Sequence, residues 1–345
     1  MNTFLEKIKK KVYVIAEAGV NHNGSTKLAI EHANIAKESG ADAVKFQLFD
    51  INEQVSKIAA NAPYQRKGTG QKSMLEMAKG YHLEWNNHLK IKKHCDKIGI
   101  DYLASCFDNN SVDFYFNEIK AEVIKISSGE ITNLRLLDYI AKKNKSMLLS
   151  TGMATLDEVR LAVDRVKKHT SATLILLHCT SNYPAENKEL NLNAIKTIRK
   201  EFSLDVGYSD HSLGNYASVI AVSLGASIIE KHFTIDKSLP GPDHAMSLDP
   251  VELSEFIKAI NLTQVILGNS EKKPTINEID MIKIARRGII STCKIKKGEK
   301  LTLNNTAIKR PAIGIDAKHY EEVIGKIFLT SVDENTPIDF NMIDI

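Results

Sequence analysis

The chain has 345 residues, 43% of them apolar and 26% charged, with 46 basic against 42 acidic side chains and a net charge of +4. That is the composition of a folded globular protein and excludes a disordered, collagen-like or membrane-spanning chain. The small, evenly spread excess of positive charge speaks against a nucleic-acid partner, and the lysine clusters at 7–10, 142–145 and 294–300 read as solvated faces.

The first eleven residues are basic, and the apolar run that follows, Val12–Ile15, is broken by Glu17 too early for a signal peptide. From there, short β-branched runs alternate with stretches of helical period. The candidate strands are Val12–Glu17, Ala43–Leu48, Asp101–Ser105, Val123–Ser127, Ser146–Thr151, Thr173–Cys179, Leu204–Ser209 and Ser227–His232. Amphipathic stretches lie between them, among them Thr26–Ser39, Trp85–Ile98, Leu156–Lys168 and Leu192–Phe202, and Val251–Leu267 closes the series. Eight strand–helix units in about 255 residues fit a closed parallel (β/α)8 barrel of the TIM type. A doubly wound open sheet is the competing architecture and rarely needs eight regular units.

One connection is out of proportion. Residues 50–84 separate the second strand from its helix, where such loops usually take a handful of residues, and long loops at that face cover ligands. Within it, Gly68–Ser73 has the composition of a phosphate loop but lacks its spacing and follows no strand. The four cysteines (Cys95, Cys106, Cys179, Cys293) form no C-x-x-C pair and read as reduced thiols of a cytoplasmic protein. The expected organisation is a barrel over 1–268, a polar linker over 269–284 that includes Pro274, and a small, mostly irregular module over 285–345.

A barrel of this kind carries its chemistry at the carboxyl ends of its strands. Nearly every candidate strand here ends in polar residues: Glu17; Lys45 and Gln47; Ser105; Lys125, Ser128 and Glu130; Ser150 and Thr151; His178 and Thr180; Asp210 and His211; Glu230, Lys231 and His232. Any one of these is compatible with a satisfied structural group. A scaffold has no reason to concentrate so many at one mouth. Lys45, Lys125, Ser128 and Ser150, with Thr151-Gly152 at a helix start, suit a phosphate; the competing role for Lys125 is a Schiff-base lysine. His211 and His232, from neighbouring strands, suit an exchangeable divalent ion with open positions, or else are hydrogen-bonding histidines. Glu17 and Gly241-Pro-Asp243-His244 remain for an uncharged, multi-hydroxyl substrate.

These residues stand in a recognisable order. Ile15-Ala-Glu17-Ala-Gly-Val-Asn-His22-Asn-Gly-Ser25, Val44-Lys45-Phe-Gln47, Lys125-Ile-Ser-Ser-Gly-Glu130, Ser150-Thr-Gly-Met153, Gly207-Tyr-Ser-Asp-His211, Glu230-Lys-His232-Phe-Thr and Gly241-Pro-Asp243-His244 resemble the sialic acid synthases from Val12 to the end. Ile295-Lys-Lys-Gly-Glu299 and Lys309-Arg310-Pro311 resemble that family's antifreeze-like (SAF) domain. The resemblance implies a cytoplasmic enzyme that condenses phosphoenolpyruvate with N-acetylmannosamine, or with 2,4-diacetamido-2,4,6-trideoxymannose in the legionaminate branch. It implies phosphoenolpyruvate on Lys45, Gln47, Ser105, Lys125, Ser128, Ser150 and Ser181, and the acceptor sugar on Glu17, Tyr183 and Asp243. It places a divalent metal, Mn2+ first with Mg2+ or Co2+ as alternatives, on His211 and His232, and catalytic carboxylates at Glu17 and Glu230. It also implies a domain-swapped homodimer in which Arg310 reaches the partner's active site. Ser105 and Ser181 stand where some members carry threonine or asparagine, and Cys106 stands where proline is common. Two rival readings remain from other classes: a Schiff-base aldolase, and a carbohydrate- or ice-binding protein on a degenerate barrel.

Overall fold

The computed structural model describes residues 3–345 except 57, 62–64, 67, 68, 71 and 72. Parts of Asn61–Gln65 and of Gly68–Ser73 therefore lie outside the described residues. Eight parallel strands close into a barrel: β1 (Tyr13–Gly19), β2 (Ala43–Leu48), β3 (Asp101–Cys106), β4 (Val123–Ile126), β5 (Ser146–Ser150), β6 (Leu174–Cys179), β7 (Val206–Asp210) and β8 (Ile228–His232). Closure is direct, since β1 pairs with β2 on one edge and with β8 on the other. The strands are buried almost throughout, which is why the sequence shows continuous apolar runs instead of alternation.

The helices behind the strands are α1 (Thr26–Ser39), α2 (Trp85–Ile98), α3 (Asn109–Asn117), α4 (Leu134–Ala141), α5 (Leu156–Lys167), α6 (Ala194–Phe202), α7 (Tyr216–Ser223) and α8 (Pro250–Leu267). Several start where side chains answer the free N–H groups of the first turn. Thr155 with Glu158 and Asp249 with Glu252 form reciprocal capping boxes on α5 and α8. Their apolar faces and the outward faces of the strands make one large core. A smaller cluster fills the barrel, with Tyr13, Ile15, Leu103, Leu148, Leu177 and Ile228 in contact with Phe4. Phe4 belongs to a helix over Thr3–Lys10 that closes the amino end of the barrel, so a ligand enters from the opposite mouth.

The long connection after β2 contains short helices at Ile51–Gln54 and Met74–Tyr81. The chain divides into two compact units, Met1–Gly268 and Asn269–Ile345. Within the stretch expected as linker, Ile276–Ala285 is helical, started by a Thr275–Glu278 capping box. In the second unit β9 (Gly288–Ser291) pairs antiparallel with β10 (Thr306–Lys309), and isolated bridges hold the remainder around Ile289, Leu301, Phe328 and Ile338. Among the described residues no helix is long and apolar enough to cross a membrane.

Candidate active site

A cavity of about 500 Å3 opens at the carboxyl ends of the strands. Glu17, Lys45, Gln47, Ser105, Lys125, Ser128, Ser150, Ser181, Tyr183, His211, Glu230, His232 and Asp243 all line it. Arg310 lies in the second unit, exposed, with its Nε donating to the Ala285 carbonyl at 2.8 Å.

Two lysines and two carboxylates interlock on the cavity floor. Lys45 Nζ lies 2.8 Å from Glu17 Oε2 and 3.6 Å from Glu230 Oε2, and donates to Ser105 Oγ at 3.1 Å. Lys125 Nζ donates to Glu230 Oε1 at 2.9 Å, and Ser209 Oγ donates to the same oxygen at 2.8 Å. All four charged groups are buried, yet their environments differ. Glu230 is hemmed by two ammonium groups and a hydroxyl, which outweigh burial and hold its pKa well below the usual carboxylate range. Glu17 has Lys45 as its near partner, and burial prevails, raising its pKa to about 7. The two lysines differ: burial opposes the charge on both, but Glu17 and Glu230 outweigh it at Lys45 and raise its pKa, whereas at Lys125 burial prevails over Glu230 and lowers it.

Beside this quartet the hydroxyls converge. Gly152 N donates to Ser128 Oγ at 3.0 Å, and the Ser150 hydroxyl is buried without a hydrogen-bond partner among the described residues. Glycine is required at 152 by space: a Cβ there would stand 2.2 Å from Ser181 Oγ and 2.8 Å from Ser128 Oγ. Two ammonium groups, both paired with carboxylates, and four hydroxyls thus converge, donors of the kind that bind a small oxyanion.

The same cavity holds the two histidines, their ring centres 5.7 Å apart. His211 Nδ1 donates to the Thr180 carbonyl at 2.9 Å, which leaves Nε2 3.1 Å from the Tyr183 hydroxyl. Burial, with His211 and Lys45 nearby, keeps the His232 pKa well below its ordinary value, so the imidazole stays neutral; its Nδ1 is buried and has no partner among the described residues. Burial lowers the His211 pKa, but Cys179 and the Thr180 carbonyl raise it on balance, so a cation there competes with a proton; the neutral His232 and a His211 oriented by a carbonyl are donors of the kind that hold a divalent ion. No group of three or more His, Cys, Asp and Glu side chains among the described residues is placed to hold one, so water or substrate would complete the coordination. Asp243 is buried, its pKa raised to about 6 chiefly by that burial. Its carboxylate borders the same space beside Gly19 as Glu17 Oε1 and the His232 ring.

Several polar strand-end residues face away from the cavity. His178 gives Nε2 to the Leu190 carbonyl at 2.7 Å, Thr151 Oγ1 donates to Leu177, and Asp210 and Lys231 pair with each other behind the wall. The departure at Cys106 is structural: its buried thiol faces the outer layer near the Ser111 carbonyl, 3.8 Å away. Sequence reasoning missed Ser209 and Cys179 as cavity residues. Both were legible by parity, Ser209 from His211 and Cys179 from Ser181, each two residues along. It also missed the apolar outer wall of Val20, Phe49, Met74, Met77, Tyr81 and Phe107, most of it on the long connection.

Comparison with known proteins gives the family. The NeuB family pattern matches residues 32–272, and an SAF domain matches 286–344. The chain belongs to the NeuB family. Over 94% of its length it is 45% identical to the N,N'-diacetyllegionaminic acid synthase of Campylobacter jejuni, 98% of which is covered. It is 41% identical, over 94% of this chain and 93% of that protein, to the synthase of the same name from Legionella pneumophila. Among solved structures it is similar to the N-acetylneuraminic acid synthetase of Leptospira borgpetersenii in complex with citrate, with a TM-score of 0.71, 33% identity, and 79% and 90% of the two chains covered.

Proposed function

We propose that this NeuB-family chain is a phosphoenolpyruvate-dependent nonulosonic acid synthase, a transferase, and that its acceptor is a 2-acetamido mannose-type sugar in the open-chain aldehyde form. The observation that carries this is the cavity itself, whose lining brings two lysines and several serine hydroxyls together with two histidines. The phosphate and carboxylate of phosphoenolpyruvate would rest on Lys45, Gln47, Ser105, Lys125, Ser128, Ser150 and Ser181. Tyr183, Asp243 and Glu17 would hold the acceptor, with Arg310 of a second subunit in a swapped homodimer completing the site. His211 and His232 would hold a divalent cation, Mn2+ first and Mg2+ or Co2+ as alternatives. When bound, that ion supplies Lewis acidity to the acceptor carbonyl.

The chain's own residues would do the remainder. Lys45 and Lys125 fix the phosphoenolpyruvate with its methylene carbon towards the aldehyde carbon, which converts a bimolecular encounter into a held one. A carbon–carbon bond forms there, and positive charge develops on the carbon that bears the phosphate oxygen. Glu230, permanently ionised, opposes that charge from below. Glu17, titrating near neutrality, takes a proton from the water that adds to this carbon. Collapse breaks the carbon–oxygen bond, and phosphate departs with its bridging oxygen.

Of the two acceptors raised by the sequence, N-acetylmannosamine stood first. The two legionaminate-synthase relatives, both above 40% identity, and the apolar outer wall support the other, 2,4-diacetamido-2,4,6-trideoxymannose. It presents two acetamido methyls and a C6 methyl where N-acetylmannosamine has more hydroxyls, and apolar contacts of this kind discriminate by about 1–3 kcal/mol. The 33% identical Leptospira structure supports N-acetylmannosamine as the second reading. Incubation of the enzyme with phosphoenolpyruvate, Mn2+ and each sugar, with the product identified by mass spectrometry, decides. The diacetamido sugar should give the higher kcat/KM by about tenfold or more; preference for N-acetylmannosamine would restore the first order, and turnover of neither would refute the assignment.

A further inference from the structure

Behind the histidine wall lies a polar network that the reaction does not use. Asp210 and Lys231 are register partners on β7 and β8, and each precedes in the chain one of the two cavity histidines. Side chains alternate along a strand, so His211 and His232 point into the cavity while Asp210 and Lys231 point into the helix layer. There Lys231 Nζ sits 2.9 Å from Asp210 Oδ2, with 3% and 0% of the two side chains exposed. The network closes around His211: Asp210 Oδ1 accepts from Ser212 N at 2.8 Å and Ser212 Oγ at 2.7 Å, and Lys231 donates to the Ser212 carbonyl. Ser218 Oγ on α7 adds a bond to Asp210 Oδ2 at 2.6 Å. The residues on both sides of His211 and the residue before His232 thus belong to one closed ring.

We propose that the Asp210–Lys231–Ser212 ring is a positioning device that fixes the separation and aim of the His211 and His232 imidazoles; this rests on those histidines being the metal ligands. A buried ion pair is a poor source of net stability, because desolvation of the two charges offsets their attraction, and its best-attested use is to specify register. Register is what a two-histidine site from adjacent strands needs, since with so few protein ligands the spacing between them carries the selectivity. One end of His211 is tied to the Thr180 carbonyl; the ring ties its backbone.

The test uses the full chain and Mn2+ alone, with free Mn2+ counted by its EPR signal. Two variants address the ring: Asp210→Asn with Lys231→Met, which removes both charges together, and Ser212→Ala, which removes one hydroxyl. Leu137→Ala, in the fully buried core of α4 on the far side of the barrel, controls for general loss of stability. The ring variants should weaken Mn2+ binding by about tenfold or more, the usual effect of removing an outer-shell partner. Their affinity for phosphoenolpyruvate, measured by calorimetry, should stay within about twofold, and Leu137→Ala should change neither. Wild-type Mn2+ affinity in both ring variants, or equal weakening in Leu137→Ala, would overturn the proposal. His211→Asn and His232→Asn distinguish the underlying reading: undiminished Mn2+ binding in these would overturn that reading and the ring's role with it, whereas their loss of binding beside unaffected ring variants would overturn the ring alone.

Discussion

Glu17 and Glu230 are the same functional type a few ångströms apart, and their neighbours give them different duties. Glu230 accepts from Lys125 and Ser209 and stays ionised. Glu17 has its pKa raised to about 7, by burial first, with Lys45 opposing. The sign has two consequences. A carboxyl whose folded pKa is raised contributes its stability at low pH and loses it as pH rises through the folded value. The protein should therefore melt at a lower temperature above pH 7 than below it, and Glu17→Gln should flatten that slope. Catalysis needs the ionised form, so kcat should fall as pH drops through about 7, and Glu17→Gln should remove the inflection and at least about 10²-fold of the rate. A Glu17→Gln enzyme with the wild-type pH profile would exclude Glu17 as the group that titrates. From sequence, the residue types at this floor were visible because polar groups at the ends of apolar strands are conspicuous. Their division of labour was invisible, because it depends on which lysine lies nearer to which oxygen.

Among the elements, the eight strands and the position of the site at their ends were legible, since strands buried on both faces leave continuous apolar runs. Parity at a strand end was legible only from a residue already assigned to the cavity, as with Ser209 and Cys179; which of two consecutive polar residues faces inward was not. Asp210, His211, Lys231 and His232 are all polar and consecutive, and only the folded register shows that the histidines face the cavity while their neighbours pair behind it. His178 was misplaced for the same reason; its ring turns out to the Leu190 carbonyl. The Ile276–Ala285 helix was masked by the polar, proline-containing run before it, although its Thr275–Glu278 capping signature is present in the sequence. The long connection after β2 was recognised as a cover for a ligand, but its chemistry needed the structure: Met74, Met77 and Tyr81 sit on one short helix that lines the cavity. Met77→Ala should raise KM for the acceptor by about tenfold, on the scale of two or so buried methylene equivalents at roughly 0.8 kcal/mol each, and leave KM for phosphoenolpyruvate unchanged. Equal increases in both would place the helix outside the acceptor subsite.

Taken whole, the molecule separates duties between two units. The barrel, Met1–Gly268, carries the two cavity lysines, the carboxylates and both histidines; the SAF unit, within Asn269–Ile345, carries Arg310. The barrel's amino end is filled by its own aliphatic side chains beneath Phe4, and the cavity opens at the carboxyl ends of the strands. The domain order was legible because the regular strand–helix alternation stops after Leu267. The rival of a decayed, purely carbohydrate-binding barrel is hard to reconcile with four interlocked buried charges; the Schiff-base rival meets a Lys125 paired with Glu230 but with its pKa lowered by burial, and is separated by trapping with borohydride. One measurement bears on all three at once: phosphate release from phosphoenolpyruvate in the presence of the diacetamido sugar or N-acetylmannosamine, before and after chelation and again after Mn2+ is restored. The account predicts acceptor-dependent release that chelation abolishes and Mn2+ recovers. Release that persists under chelation, or that needs no acceptor, would contradict it.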